Sequence, residues 1–255
     1  MPYIIHYGHD ATIRKVSRNR PHTLLYHIDF QSERVEQYFV LRDDLLNGGT
    51  KRRALNILLN KIPQSNIFYA GTIMGHGALA LAHACQDSKK VAEIFISANG
   101  NEPMIQKLQQ TNAILHLHLP LPISILNGLA ESAAEKQNAI HLPPAFNMPA
   151  FEDCMIASLQ NFDDSPYSEI WTCAVTGTLT RALQKAFPQK IFKTVKVVKA
   201  DCDLGKSEIF QASEKYHQLA KSPPPYSSCP FTDAKVWQLV KKHAANNALI
   251  WNTAG

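Results

Sequence analysis

The stretch Glu169-Ile170-Trp171-Thr172-Cys173-Ala174-Val175-Thr176-Gly177-Thr178-Leu179-Thr180 reads as a buried strand, a glycine turn and the start of a helix. Its first part is β-branched and aromatic, which suits a strand covered on both faces. At the turn, Gly177 lets the backbone approach a phosphate closely. The N–H groups of the helix start and the hydroxyls of Thr176, Thr178 and Thr180 supply donors. The lysine of a P-loop is missing, and many such turns bind nothing.

Working outward, short apolar runs at 37–41, 65–70, 90–97, 113–119, 193–199 and 247–251 read as further strands. Helix-length stretches at 52–61, 77–85 and 178–187 lie between some of them. Strands alternating with helices predict a parallel, doubly wound α/β sheet. Proline-rich points at 119–122, 142–149 and 222–229 read as connections. No internal repeat or low-complexity tract interrupts the pattern.

Two more glycine segments sit where a strand or loop meets a helix: Asn47-Gly48-Gly49-Thr50-Lys51 and Ala70-Gly71-Thr72-Ile73-Met74-Gly75-His76-Gly77. Ligands of open α/β sheets bind beyond the carboxyl ends of strands, so the three turns share one expected site. A lysine acting as a nucleophile must lose its proton, and burial or cationic neighbours such as Arg52 and Arg53 lower its pKa. A basic helix start on the surface, or a phosphate-grasping loop, fits the same residues. Gly75, His76 and Gly77 open a helix whose backbone N–H groups can hold a carboxylate, and His76 can move a proton near neutral pH. A histidine lining the helix start without a chemical role fits equally.

In order, these segments resemble the fold type II (tryptophan synthase β-like) pyridoxal-phosphate enzymes, nearest the 1-aminocyclopropane-1-carboxylate deaminase and D-cysteine desulfhydrase branch. Arg42-Asp43-Asp44 followed by Gly49-Thr50-Lys51 is similar to that branch's arginine, two acids and glycine-asparagine-lysine. Cys173-Ala174-Val175-Thr176-Gly177-Thr178 is similar to its phosphate loop. Pro230-Phe231-Thr232-Asp233 resembles the segment with an aromatic-acidic pair, and Ala248 to Gly255 resembles the closing strand and threonine-glycine turn. Four positions depart from the pattern. Thr50 replaces asparagine, Thr232 replaces tyrosine, and Gly75-His76 stands where the branch has serine-asparagine.

The resemblance implies pyridoxal 5′-phosphate as cofactor, held as a Schiff base on Lys51, with Thr176, Gly177, Thr178 and Thr180 on its phosphate. Asp233 or Thr253 then meets the pyridine nitrogen. Gly75, His76 and Gly77 receive the substrate carboxylate, Thr232 lies at the substrate, and Lys51 and His76 carry the catalytic roles. The implied activity is deaminase, desulfhydrase or lyase chemistry at the α-carbon of a small amino acid. An amino acid joined to a nucleotide or nucleic acid is a second reading, and a non-catalytic binding protein that kept the fold is a third. The family also implies a homodimer and two doubly wound open sheets in shortened form. The larger, cofactor-binding domain is expected over 1–60 and 160–255, with a smaller α/β domain at 61–159 inserted in it.

Composition agrees with a soluble, cytoplasmic protein. The 255 residues are 45% hydrophobic and 18% charged, and no run is long enough to cross a bilayer. Met1 to Asp10 lacks the apolar core of a signal peptide. Five cysteines without a C-x-x-C pair suit a reducing compartment. The net charge of +5 permits a nucleic-acid partner, though scattered solvated lysines explain it as well. His116 and His118 alternate on an expected strand, but four ligands would be needed for a structural metal. Asp163-Asp164 and the Asp201–Asp203 acids read as loop residues, and Lys193, Lys196 and Lys199 as exposed lysines on a strand.

Overall fold

The computed structural model describes residues 27–255 and the two-residue strand at 13–14. Met1 to Asp10, and most of the start of the expected larger domain, lie outside the described residues. In chain order, β1 (Ile13–Arg14) and β2 (His27–Ile28) pair antiparallel, ahead of β3 (Ser32–Val35), β4 (Tyr38–Arg42) and α1 (Thr50–Leu59). An alternating series follows: β5 (Asn66–Gly71), α2 (Gly77–Asp87), β6 (Val91–Ser97), α3 (Pro103–Gln109), β7 (Ile114–His118), α4 (Ile123–Lys136) and β8 (Ile140–Leu142). Last come α5 (Pro149–Ser158), β9 (Glu169–Ala174), α6 (Thr178–Ala186), β10 (Ile191–Lys196), β11 (Ser207–Gln211), α7 (Trp237–His243) and β12 (Leu249–Asn252).

Apart from the β1–β2 pair, the strands form two open sheets. One has the order β11-β10-β9-β12-β4-β3 and the other β7-β6-β5-β8. All pairings in them are parallel except β3 with β4. Parallel strands are covered on both faces, which is why β5 and β9 read as unbroken apolar runs. Trp171 and Trp251 are fully buried on adjacent strands. The alanine-rich face of α2 lets it lie close to α1, and both share a core with α5 that includes Leu55, Leu58, Leu81 and Met155. Pro103 and Pro149 start their helices, where a fixed φ helps and no N–H is missed.

The doubly wound α/β expectation holds, and each expected strand appears within a few residues of its predicted bounds. β1, β2, β3, β8 and β11 were not expected. β3 and β11 are edge strands with mostly polar or exposed residues, so they carry no apolar signal. The lysines of β10 differ from the expectation. Lys193 is largely covered and pairs with buried Glu169 at 3.0 Å, because β10 lies inside the sheet rather than at its edge. His116 stacks on Phe95 with centroids 4.2 Å apart and meets Glu93 at 3.0 Å, which accounts for it structurally.

Candidate active site

The chain beyond the carboxyl ends of β4, β5, β9 and β12 lines one cavity of about 320 Å³, at the small end of ligand-pocket sizes. Lys51, Gly75, His76, Gly77, Thr176, Gly177, Thr178, Thr232, Asp233 and Thr253 all line it. The three glycine turns, far apart in sequence, therefore meet at one place.

Lys51 sits in the first turn of α1, and that turn is fixed from several sides. Gly49 adopts φ +68°, and a Cβ there would lie 2.0 Å from the Thr253 carbonyl oxygen. The Thr50 amide donates to the same oxygen at 2.9 Å. The Thr50 hydroxyl donates to buried Asp43 at 2.6 Å and accepts from the Trp251 indole at 3.1 Å. Asp43 in turn pairs with Arg53 at 2.6 Å. The Lys51 Nζ itself makes no hydrogen bond among the described residues; it lies 5.7 Å from the centre of the Phe146 ring. Burial pushes its pKa down, opposed by the Asp233 carboxylate and by Cys229. The sequence left burial and the neighbouring Arg52 and Arg53 charges as alternative causes. Burial is the main cause, and the two arginines are engaged with Asp87 and Asp43.

At the far turn, Gly177 is left-handed at φ +78°, and no side chain caps the helix it opens. The first N–H groups of α6 have no partner within the helix, so they are available to an anion. The Thr176 and Thr178 hydroxyls lie 3.2 Å apart beside them. Arg181 holds the turn from behind, donating to the Thr176 and Asp203 carbonyls at 3.2 and 2.9 Å and pairing with Glu152 at 3.0 Å. Thr180 departs from its expected place. Its hydroxyl is fully buried, 2.9 Å from that of Thr172, and it does not line the cavity. Two residues past Thr178, about 200° round the helix, it turns into the sheet.

Asp233 occupies another wall. Its carboxylate accepts the hydroxyl hydrogens of Thr253 at 2.8 Å and Thr232 at 2.9 Å, and the Thr253 amide at 3.3 Å. Burial raises its pKa, while those hydrogen bonds act in the opposite direction. His76, at the start of α2, has its pKa lowered to about 4 by burial first, then by the Lys107 and Lys51 charges. It is a neutral imidazole at neutral pH.

Other lining residues had no sequence signal. Tyr69 lies inside an apolar strand and reads as core. Tyr216 comes from a stretch without regular structure and meets the Thr72 side chain. Burial raises both phenols, Tyr69 to about 12. Ile123, Phe151, Met155 and Leu179 give the cavity a largely apolar wall.

No family model matches the chain, and no curated protein matches it. Solved structures do. An ACC deaminase homologue aligns over 85% of this chain and 84% of its own, with a TM-score of 0.71 and 14% identity. Threonine deaminase isoform 2 from Solanum lycopersicum aligns over 85% and 74%, with a TM-score of 0.65 and 11% identity. A pyridoxal 5′-phosphate-dependent aspartate racemase aligns over 88% and 74%, with a TM-score of 0.51 and 12% identity. Two open α/β sheets enclosing one cavity, in the arrangement of these structures, give the chain the fold type II architecture.

Proposed function

We propose that the protein binds pyridoxal 5′-phosphate through Lys51 and acts at the α-carbon of a small amino acid. The observation that carries this reading is a single cavity lined by three complementary groups. A lysine amine with no hydrogen-bond partner among the described residues fits an aldehyde. An uncapped helix start with two threonine hydroxyls fits a phosphate. A buried carboxylate fits a pyridine nitrogen. Solved structures with the same fold carry names of amino-acid deaminases and racemases, which supports the substrate class.

When bound, the cofactor draws electrons from the α-carbon of an attached amino acid. The protein's part is to place and move protons. Lys51 Nζ, its ammonium form disfavoured by burial, accepts the α-proton. Thr232 and Thr253 both donate to Asp233, which supports the carboxylate, rather than Thr253, as the group facing the ring nitrogen. A negative partner there strengthens the electron withdrawal and suits deamination or elimination. Gly75, neutral His76 and Gly77 supply the end of the cavity for the substrate carboxylate, and the apolar wall excludes water.

The test is an absorption spectrum of the purified protein with added cofactor, before and after borohydride reduction, with mass spectrometry to locate the reduced adduct. A visible band, and an adduct on Lys51 that is absent in Lys51→Ala, are expected. An adduct on another residue, or no band, overturns the proposal. Release of ammonia, keto acid or sulfide from a panel of D- and L-amino acids then names the reaction.

A further inference from the structure

Tyr69 lies on β5 and is 4% exposed, yet it lines the cavity. Two contacts fix it. The phenol oxygen accepts the Ala145 N–H at 3.2 Å, and the ring stacks on Phe146 with centroids 4.7 Å apart and planes 20° apart. Both partners belong to one turn between β8 and α5, where Ala145 and Phe146 take left-handed φ values of 55° and 57°. Consecutive non-glycine residues rarely adopt that conformation, and such strain gathers at functional sites. Its result here is a backbone N–H aimed at the Tyr69 oxygen.

The hydroxyl sits over the first residue of α2. A Cβ on Gly77 would lie 2.5 Å from it, so a residue without one is required for the two to approach. Its oxygen is used as an acceptor, whereas its O–H finds no acceptor among the described residues. Burial keeps the phenol protonated, with a pKa of about 12, so the group is a donor at any working pH. A free donor and the N-terminal N–H groups of an eleven-residue helix converge on one corner. A carboxylate, which only accepts hydrogen bonds and carries negative charge, is the chemistry that satisfies them.

We propose that the Tyr69 hydroxyl contacts the substrate directly, donating a hydrogen bond to the carboxylate of the bound amino acid from a position set by the Ala145–Phe146 turn. This inference rests on the function proposed above. Gly75 and His76 leave that corner without the serine hydroxyl of the resembling sequences, and Tyr69 supplies a hydroxyl from the strand that leads into the turn.

The test uses the cofactor-loaded protein, titrated with L-alanine, D-alanine and ethylamine, with the visible absorbance change as the binding signal. Ethylamine is alanine without its carboxylate. In Tyr69→Phe, which keeps the ring that stacks on Phe146, the dissociation constant for the preferred alanine is expected to rise at least about tenfold. That for ethylamine should stay unchanged. Gly77→Ala, which displaces the hydroxyl but retains the tyrosine, should show the same carboxylate-specific loss, with circular dichroism confirming that both variants fold. Equal effects on alanine and ethylamine, no effect on either, or a wild-type protein that does not prefer alanine to ethylamine overturns the assignment alone. A wild-type protein without a visible band overturns the proposed function, and Tyr69's role with it.

Discussion

His76→Gln tests whether the histidine at the cavity is a buried neutral imidazole. Its pKa is lowered from 6.5 to about 4 in the folded protein, chiefly by burial. The unfolded chain therefore binds more protons between those values. His76's contribution to stability is present above pH 6.5 and is lost as the pH falls toward 4. Each unit of pKa corresponds to about 1.4 kcal/mol, so the wild type should lose roughly 2 kcal/mol from this group between pH 7 and pH 5. Glutamine is neutral throughout and similar in reach. Urea unfolding of both proteins at the two pH values, extrapolated to water, gives four free energies. Because the proteins share every other titrating group, the change in their difference isolates His76. The wild type is expected to fall by about 2 kcal/mol relative to the variant on acidification. A gap that stays constant within about 0.5 kcal/mol would refute the buried, neutral assignment.

Two further substitutions probe the frame behind Lys51. Gly49→Ala forces a Cβ against the Thr253 carbonyl oxygen in a left-handed conformation and disturbs the 2.9 Å bond from Thr50. Strain and the lost bond together should cost at least about 3 kcal/mol, seen as a melting temperature lower by roughly 6 °C or more. An unchanged melting temperature would contradict the close crossing. Arg53→Ala leaves the buried Asp43 carboxylate without its bidentate partner and also removes donors to the Ile28 and Asp29 carbonyls. A loss of about 3–5 kcal/mol in urea unfolding is expected, and Arg53→Lys should restore little, since an ammonium cannot reproduce the fork. A loss below about 1 kcal/mol would show that the pair is solvated.

The residues that were legible in the sequence are those whose type is dictated by backbone demands. Gly49 and Gly177 stand at left-handed turns, and each turn brings a chemically capable neighbour, Lys51 or Thr178, to the cavity. Apolar runs marked the inner strands for the same reason, since parallel strands must be covered on both faces. What escaped was set by tertiary neighbours. Tyr69 is indistinguishable from a core residue until Ala145 and Gly77 are placed around it. Thr180 continued a run of threonines, but the helical turn sends it toward Thr172 instead of the cavity. Lys193 read as exposed because its partner Glu169 sits on another strand, brought alongside only by sheet register. Edge strands such as β11 have too little covered surface to leave a pattern.

The joint between α1 and β12 has a mechanical consequence. The body of α1 packs against α2 and α5 beside the smaller sheet, whereas its first residues are fastened to the strand ends of the larger one. Rotation of one sheet against the other must therefore turn about this fulcrum, because pulling on it would break the crossing at Gly49. Lys51 lies beside this joint, and the first turn of α2 is held against it, since a Cβ on Gly48 would lie 2.8 Å from the Ala80 Cα. The Thr50 amide should exchange its hydrogen as slowly as the amides of β9, even under conditions that open the cavity.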